Sequence, residues 1–274
     1  MSFDFDRSIE RNATASVKWD GRGAYFGTTE VTPLWVADMD FAAPAAITEA
    51  LRARAEHPVY GYTLYPDGVY DALIGWLQRR HDWHVERDWI VMAPGVVPSL
   101  YAAVHAFSQP GDGVIVQPPV YFPFFSAVSS LGRRIVENPL RLDGNTYGID
   151  FGHLEQCARD ARLLLLCSPH NPVGRVWTAD ELRQLLDIAR RHDLVILSDE
   201  IHHDLIYPGE RHTSLAKFAR PGDRIITAVA PSKTFNIPGL GLSALIVPDP
   251  EQRKHLADAF ELLHAGNYNP FSIA

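Results

Sequence analysis

Lys233 is one of four lysines in the chain, with Lys18, Lys217 and Lys254. It lies in Ala228-Val-Ala-Pro-Ser-Lys-Thr-Phe-Asn-Ile-Pro-Gly239, between two apolar stretches at 224–230 and 242–247. A lysine held among apolar walls and small residues has a depressed pKa and can attack carbonyls. A lysine in a surface loop after a strand has the same local sequence, so the partners around it must decide.

Four other stretches end apolar runs with groups that could serve such a lysine. After 89–93 come Pro94, Gly95, Val96 and Val97, then a helical pattern through Leu100, Val104 and Phe107. Free N–H groups of Val96 and Val97 at a helix start suit a phosphate, although an ordinary strand-to-helix turn reads alike. After 113–117 comes Tyr121, which could stack on a flat ring or belong to the core. After 163–167, Ser168-Pro-His-Asn-Pro-Val-Gly174 makes a rigid turn that could aim the Asn171 amide. After 194–197 come Asp199 and Glu200. A carboxylate at that point can keep a pyridine nitrogen protonated and make its ring an electron sink, or it can cap the next segment. Together these groups suggest pyridoxal phosphate held by Lys233 as a Schiff base. Asp199-Glu-Ile-His-His-Asp204 also admits a metal reading, but it matches no standard zinc spacing, and adjacent His202 and His203 should diverge. No metal site is expected. His153, His192, His212 and His264 show no partner in sequence and are expected at the surface.

The elements needed to position these groups are legible. Short apolar runs alternate with helical patterns, and seven strands are expected between 89 and 247. That alternation implies a mostly parallel sheet covered on both faces, an α/β three-layer αβα class, with ligands beyond the carboxyl ends of the strands. Thr178 to Glu181 is a capping box opening a helix to His192, whose Leu182, Leu185, Leu186 and Ala189 form one apolar stripe. Further helices are expected at 44–56, 69–82, 121–131, 151–160 and 251–264. Residues 1–32 read as a polar, irregular arm or part of a small domain, and 33–274 as the main domain.

At 274 residues the chain can bury a large core. Its apolar (46%) and charged (21%) fractions are those of a globular protein, and a net charge of -8 argues against nucleic-acid or anionic-membrane partners. No apolar run reaches membrane-span length and the start lacks a signal-peptide pattern. Cys157 and Cys167 read as reduced core thiols, so a cytoplasmic location is expected.

The ordered set resembles a known family. Pro33-Leu-Trp-Val-Ala-Asp-Met-Asp-Phe41, Tyr60-Gly-Tyr-Thr63, Pro94-Gly-Val-Val-Pro-Ser99, Pro119-Val-Tyr121, Ser168–Gly174, Ser198-Asp-Glu-Ile-His202 and Pro231–Gly239 together resemble fold-type I pyridoxal-phosphate enzymes of the class I/II aminotransferase superfamily. They are most similar to its cysteine-conjugate β-lyase branch, the cystathionine β-lyases and cystalysin-like enzymes. The resemblance implies that Lys233 binds the cofactor and shuttles protons, Asp199 pairs with the pyridine nitrogen and Asn171 bonds the ring hydroxyl. His202 would stand where many aminotransferases have Tyr, and Tyr121 would stack on the ring. Val96, Val97 and Ser232 would hold the phosphate, and Trp35 and Val36 would line the substrate pocket. Tyr62 would reach the phosphate in the other subunit of a homodimer. By the same analogy Asn171–Pro172 is a cis bond.

Departures from the family pattern are Ala230, where many aminotransferases have Ser, Gly241, where many have a phosphate-clamping Arg, and Phe122, where cystalysin-like lyases often have a second Tyr. Family members also run more than a hundred residues further. The small domain and the arginine for the substrate carboxylate are therefore expected to be largely missing, as in a fragment or C-terminally truncated product. The implied activity is cleavage of cystathionine or cysteine S-conjugates to a thiol, pyruvate and ammonia. Transamination, and a truncated non-catalytic protein, are the alternatives.

Overall fold

The computed structural model describes residues 4–266 and 269–274; residues 1–3 of the expected arm lie outside these. Its centre is a seven-stranded sheet. In chain order the strands are β1 (Ile90–Ala93), β2 (Gly113–Val116), β3 (Arg134–Glu137), β6 (Ala161–Cys167), β7 (Val195–Asp199), β8 (Ile225–Val229) and β9 (Ser243–Ile246). A separate two-stranded hairpin, β4 (Arg141–Asp143) and β5 (Thr146–Gly148), was not expected from sequence. The sheet order is β1-β9-β8-β7-β6-β2-β3. All pairings are parallel except those of β9, which runs against both β8 and β1. The carboxyl ends of β1, β2, β6, β7 and β8 therefore share one edge, as a doubly covered α/β sheet requires.

Nine α-helices lie among the described residues. Two short ones, α1 (Val17–Asp20) and α2 (Arg22–Phe26), break the expected irregularity of the arm; Ser16 caps α1 by accepting from Trp19 N–H. The others are α3 (Ala45–Glu56), α4 (Asp67–His81), α5 (Val96–Phe107), α6 (Pro123–Ser129), α7 (Phe151–Ala158), α8 (Ala179–Arg191) and α9 (Pro250–Leu262). One face of the sheet, through Val114, Leu163, Leu165, Val195, Leu197 and Ile226, packs on α5, α6 and α9. The alternate residues Ile115, Leu164, Leu166 and Ile196 pack on α7 and α8. The period-2 alternation of strand side chains produces these two layers from near-continuous apolar runs.

Both bonds of the Thr178–Glu181 capping box form. They fix the start of α8 so that its leucine stripe faces the sheet. Leu182, Leu185 and Leu186 are fully or almost fully buried, each worth about 1.5–3 kcal/mol in apolar burial. At the other end of the sheet, α4 lays Leu77, Leu73 and Ile74 against Ile90, Ala244 and Ile246.

Candidate active site

The edge shared by the parallel strands carries most of the expected groups. β7 ends in Asp199, laddered to Cys167 of β6 and Ala228 of β8, with 5% of its surface exposed. Its Oδ1 accepts the Ile201 N–H at 3.1 Å, so the capping role is real. Burial pushes its carboxyl up to about 7, Glu200 adds to this, and Lys233 acts the other way. Among the described residues no basic side chain forms an ion pair with it. A buried carboxylate lacking a paired cation is an incomplete arrangement that a protonated pyridine nitrogen would complete.

Lys233 follows β8. Its Nζ donates to the Ala37 carbonyl at 3.1 Å. Burial lowers its pKa, while Asp38 and Asp199 partly offset that. A fraction of the amine is then free base nearer neutrality than in an ordinary lysine, which is what attack on a carbonyl needs. Its loop is anchored on the far side by Asn236, in left-handed conformation (φ 55°). The Asn236 amide bonds Met39 N–H and the Met39 and Phe41 carbonyls at 2.8–3.0 Å.

The turns after β2 and β6 are tied together. Tyr121 N–H donates to the Asn171 carbonyl at 3.0 Å, and His170 Nε2 lies 3.0 Å from the Pro119 carbonyl. Burial pushes His170 down to about 4, so it is neutral and structural. Pro118–Pro119, Ser168–Pro169 and Asn171–Pro172 are cis, the last as expected. The Asn171 side-chain amide has no protein hydrogen-bond partner among the described residues, while its N–H bonds Cys167 Sγ at 3.3 Å. Tyr121 is 37% exposed, not core. Burial and the nearby Asp199 charge both raise its pKa.

At α5 the first turn has no side-chain cap, which leaves Val96 and Val97 N–H groups at an uncapped, positive helix end. Gly95 is extended there, and a Cβ would make only ordinary contact with Pro98. The protein itself therefore does not require glycine at 95. Gly241 does need to be glycine: its φ is 65° and a Cβ would meet the Pro94 carbonyl at 3.3 Å. An arginine on this backbone would carry strain. Ser232 is half-buried beside Lys233.

Asp199, Glu200, His202 and His203 separate cleanly. His202 is half-buried on the Lys233 side; burial, then the lysine charge, push it down to about 4. Glu200 turns to the opposite face, where its oxygens accept from Ser198, Ser214 and Leu215 N–H and pair with His212 Nε2 at 2.9 Å. His212 is thus buried, not at the surface as expected: its partner lies twelve residues earlier and only the fold brings them together. His192 is half-buried against Glu155, His153 is half-buried near Asn138, and His264 is exposed. His203 joins His81 and Asp204, whose ligand atoms lie within 4.8 Å of one another. The Asp204 oxygens already accept from Trp76 and Thr234, so hydrogen bonding accounts for this cluster.

The N-terminal groups behave differently. Trp35 packs on Tyr25 and Phe26 of the arm and donates to the Lys18 carbonyl. Val36 is half-buried next to Ala37. Tyr62 is 94% exposed. Sequence reasoning missed Asp38, Asn236 and Thr234 as parts of the site. The first was visible only as a charge interrupting an apolar stretch.

The chain matches the family described as aminotransferase class I and II over residues 29–270. It is 46% identical over 273 residues to the cystathionine β-lyase PatB of Bacillus subtilis, covering 98% of this chain and 70% of PatB. It is 33% identical over 241 residues to MalY of Escherichia coli, covering 87% and 61%. Among solved structures, cystalysin from Treponema denticola, which contains pyridoxal 5'-phosphate, superposes with a TM-score of 0.95 at 40% identity, over 100% of this chain and 71% of that one. The PLP-bound C–S lyase from Staphylococcus hominis gives 0.90 at 31%, over 100% and 69%. A buried carboxylate without a paired cation, a desolvated lysine and an uncapped helix end along one sheet edge thus coincide with a sequence match across most of the chain, and the chain belongs to the aminotransferase class I and II family.

Proposed function

We propose that the protein is a pyridoxal-phosphate-dependent carbon–sulfur β-lyase acting on cystathionine or other cysteine S-conjugates. The reading is carried by Asp199, buried without a paired cation on the strand beside the one that leads to Lys233. When bound, pyridoxal phosphate supplies an electron sink conjugated to the Cα of an amino acid. Lys233 would attach the cofactor and would take the proton from the substrate Cα; its lowered pKa suits both tasks. Asp199 would hold the proton on the pyridine nitrogen. Val96 and Val97 N–H groups and Ser232 hold the phosphate, and the uncapped start of α5 supports this. Asn171 would bond the ring hydroxyl with its otherwise unpartnered amide, His202 would stand beside it as a neutral imidazole, and Tyr121 would stack on the ring. Trp35 and Val36 line the substrate side. A cysteine conjugate and water give a thiol, pyruvate and ammonia.

The site is completed in a homodimer by Tyr62 of the partner subunit, for which its 94% exposure leaves room. Residues 33–274 form the cofactor-binding domain and 1–32 an arm. The chain acts in the cytoplasm: both cysteines are free and buried, and no described helix is long and apolar enough to cross a membrane. The decisive assay is pyruvate release from cystathionine with no keto-acid acceptor. The lyase reading expects release without acceptor; strict dependence on an acceptor would replace it with transamination.

A further inference from the structure

One buried carboxylate holds the Lys233 loop from behind. Asp204 lies in the turn after β7, with 4% of its side chain exposed. Its Oδ2 accepts from Thr234 Oγ1 at 2.7 Å and Trp76 Nε1 at 3.0 Å. Its Oδ1 lies 2.8 Å from His81 Nε2, and His203 Nε2 stands 3.3 Å from Oδ2. Burial acts to raise the Asp204 pKa, but the hydrogen bonds of His203, His81 and Thr234 outweigh it and hold the carboxyl far below the usual range. The anion therefore persists at working pH as a fixed acceptor.

The donors come from three separate pieces of chain. Trp76 and His81 belong to α4, His203 follows His202, and Thr234 follows Lys233. The Trp76 ring also meets Phe235 edge-on at 5.2 Å, and the His81 and His203 rings stack at 4.2 Å. His212, held by Glu200, closes the cluster at 6.1 Å from both. On the other side of the lysine, Asn236 fixes the chain to residues 39–41. Thr234 is thus the tie that sets the backbone immediately after Lys233. The charged and titratable groups that act on the amine itself are Asp38 and Asp199, with His202 nearby.

We propose that Asp204 is a positioning residue for the Lys233 amine, acting through Thr234. The proposal rests on Lys233 being the reacting amine of the lyase reading. Loss of the tie lets the loop relax and the amine gain solvent, which raises its pKa.

Competitive labelling with acetic anhydride across pH, on the full chain without added pyridoxal phosphate, reads this directly. Peptide mapping resolves the four lysines, and exposed Lys254 is an internal reference. In the wild type the labelling midpoint of Lys233 lies below that of Lys254. Thr234→Val and Asp204→Asn should move it up by about half a unit or more. Thr234→Ser, which keeps the hydroxyl, should restore the wild-type midpoint. An unchanged Lys233 midpoint in Thr234→Val, even with a lowered Tm, would overturn the proposal, because packing alone moves stability and not the titration. The lyase reading fails separately, if Lys233→Ala still shows the absorbance of covalently bound pyridoxal phosphate.

Discussion

Asp199 and Tyr62 are held at opposite extremes within one proposed site. Asp199 is laddered on both sides into the centre of the sheet and is 5% exposed. Tyr62 is 94% exposed in a stretch with neither strand nor helix. The contrast extends to their surroundings. Among described residues 4–66 only Lys18 and Pro33 are buried. That region takes its order from polar ties: Arg11 bonds Asp38 and Asp40, Lys18 bonds Asp40, and Asn236 grips residues 39–41. The strand-borne groups need nothing beyond the fold of the chain. The N-terminal groups are displayed on a surface, and a partner subunit would give them their inner side.

The comparison breaks most severely if the strand-borne half proves dispensable. Asp199→Ala should lower turnover on the order of 10²- to 10³-fold while the fold survives, since it removes the charge proposed to keep the ring protonated. Near wild-type kcat in a chain with unchanged circular dichroism would refute that role.

The displayed half is probed by mixing. Tyr62→Ala should weaken cofactor binding about tenfold, by loss of a bond to an anion. At cofactor too dilute to load the Tyr62→Ala site, dimers formed at random from equal amounts of Tyr62→Ala and Lys233→Ala chains should recover about a quarter of wild-type activity, because half the dimers carry one intact site of two. No recovery would place Tyr62 outside a shared site.

Asp199 also predicts a pH dependence of stability. Its carboxyl is raised to about 7 in the folded chain from an ordinary value of 3.8. The folded state therefore binds this proton more tightly than the unfolded state. That stabilisation is complete below pH 4 and is lost as pH rises through 7. Asp199→Asn stays neutral throughout. Between pH 5 and pH 8, without cofactor, the wild type should lose on the order of 2 kcal/mol relative to the variant in urea unfolding. Parallel curves would contradict the buried, unpaired state of Asp199.

The smallest effect belongs to the arm. Arg11 and Asp38 side chains are 18% and 19% exposed. Arg11→Ala should cost about 1 kcal/mol or less and raise KM more than it lowers kcat, because it loosens the stretch that carries Trp35. A larger loss of kcat than of KM would tie the arm to the chemistry instead.

All seven strands of the main sheet and the α8 capping box could be read from sequence because near-continuous apolar runs and a Thr-to-Glu spacing are local signals. The strand-end groups were readable for the same reason: each follows within a few residues of the end of such a run. The β4–β5 hairpin was not, because Arg141–Asp143 is exposed throughout and carries no buried face to imprint alternation. The Asp204 cluster was not, because Trp76 lies 128 residues from its acceptor. His212 likewise looked solitary until the fold set it against Glu200. Pairings made across the fold leave no period or spacing in the chain.

The central claim is that Lys233 is where the cofactor is bound covalently. Its most direct test is the visible absorbance of the purified chain titrated with pyridoxal phosphate, beside Lys233→Ala. A saturable band in the wild type that borohydride fixes to the peptide containing Lys233, and that the variant lacks, is the predicted result. The same band in the variant, or attachment at Lys18, Lys217 or Lys254, would contradict it.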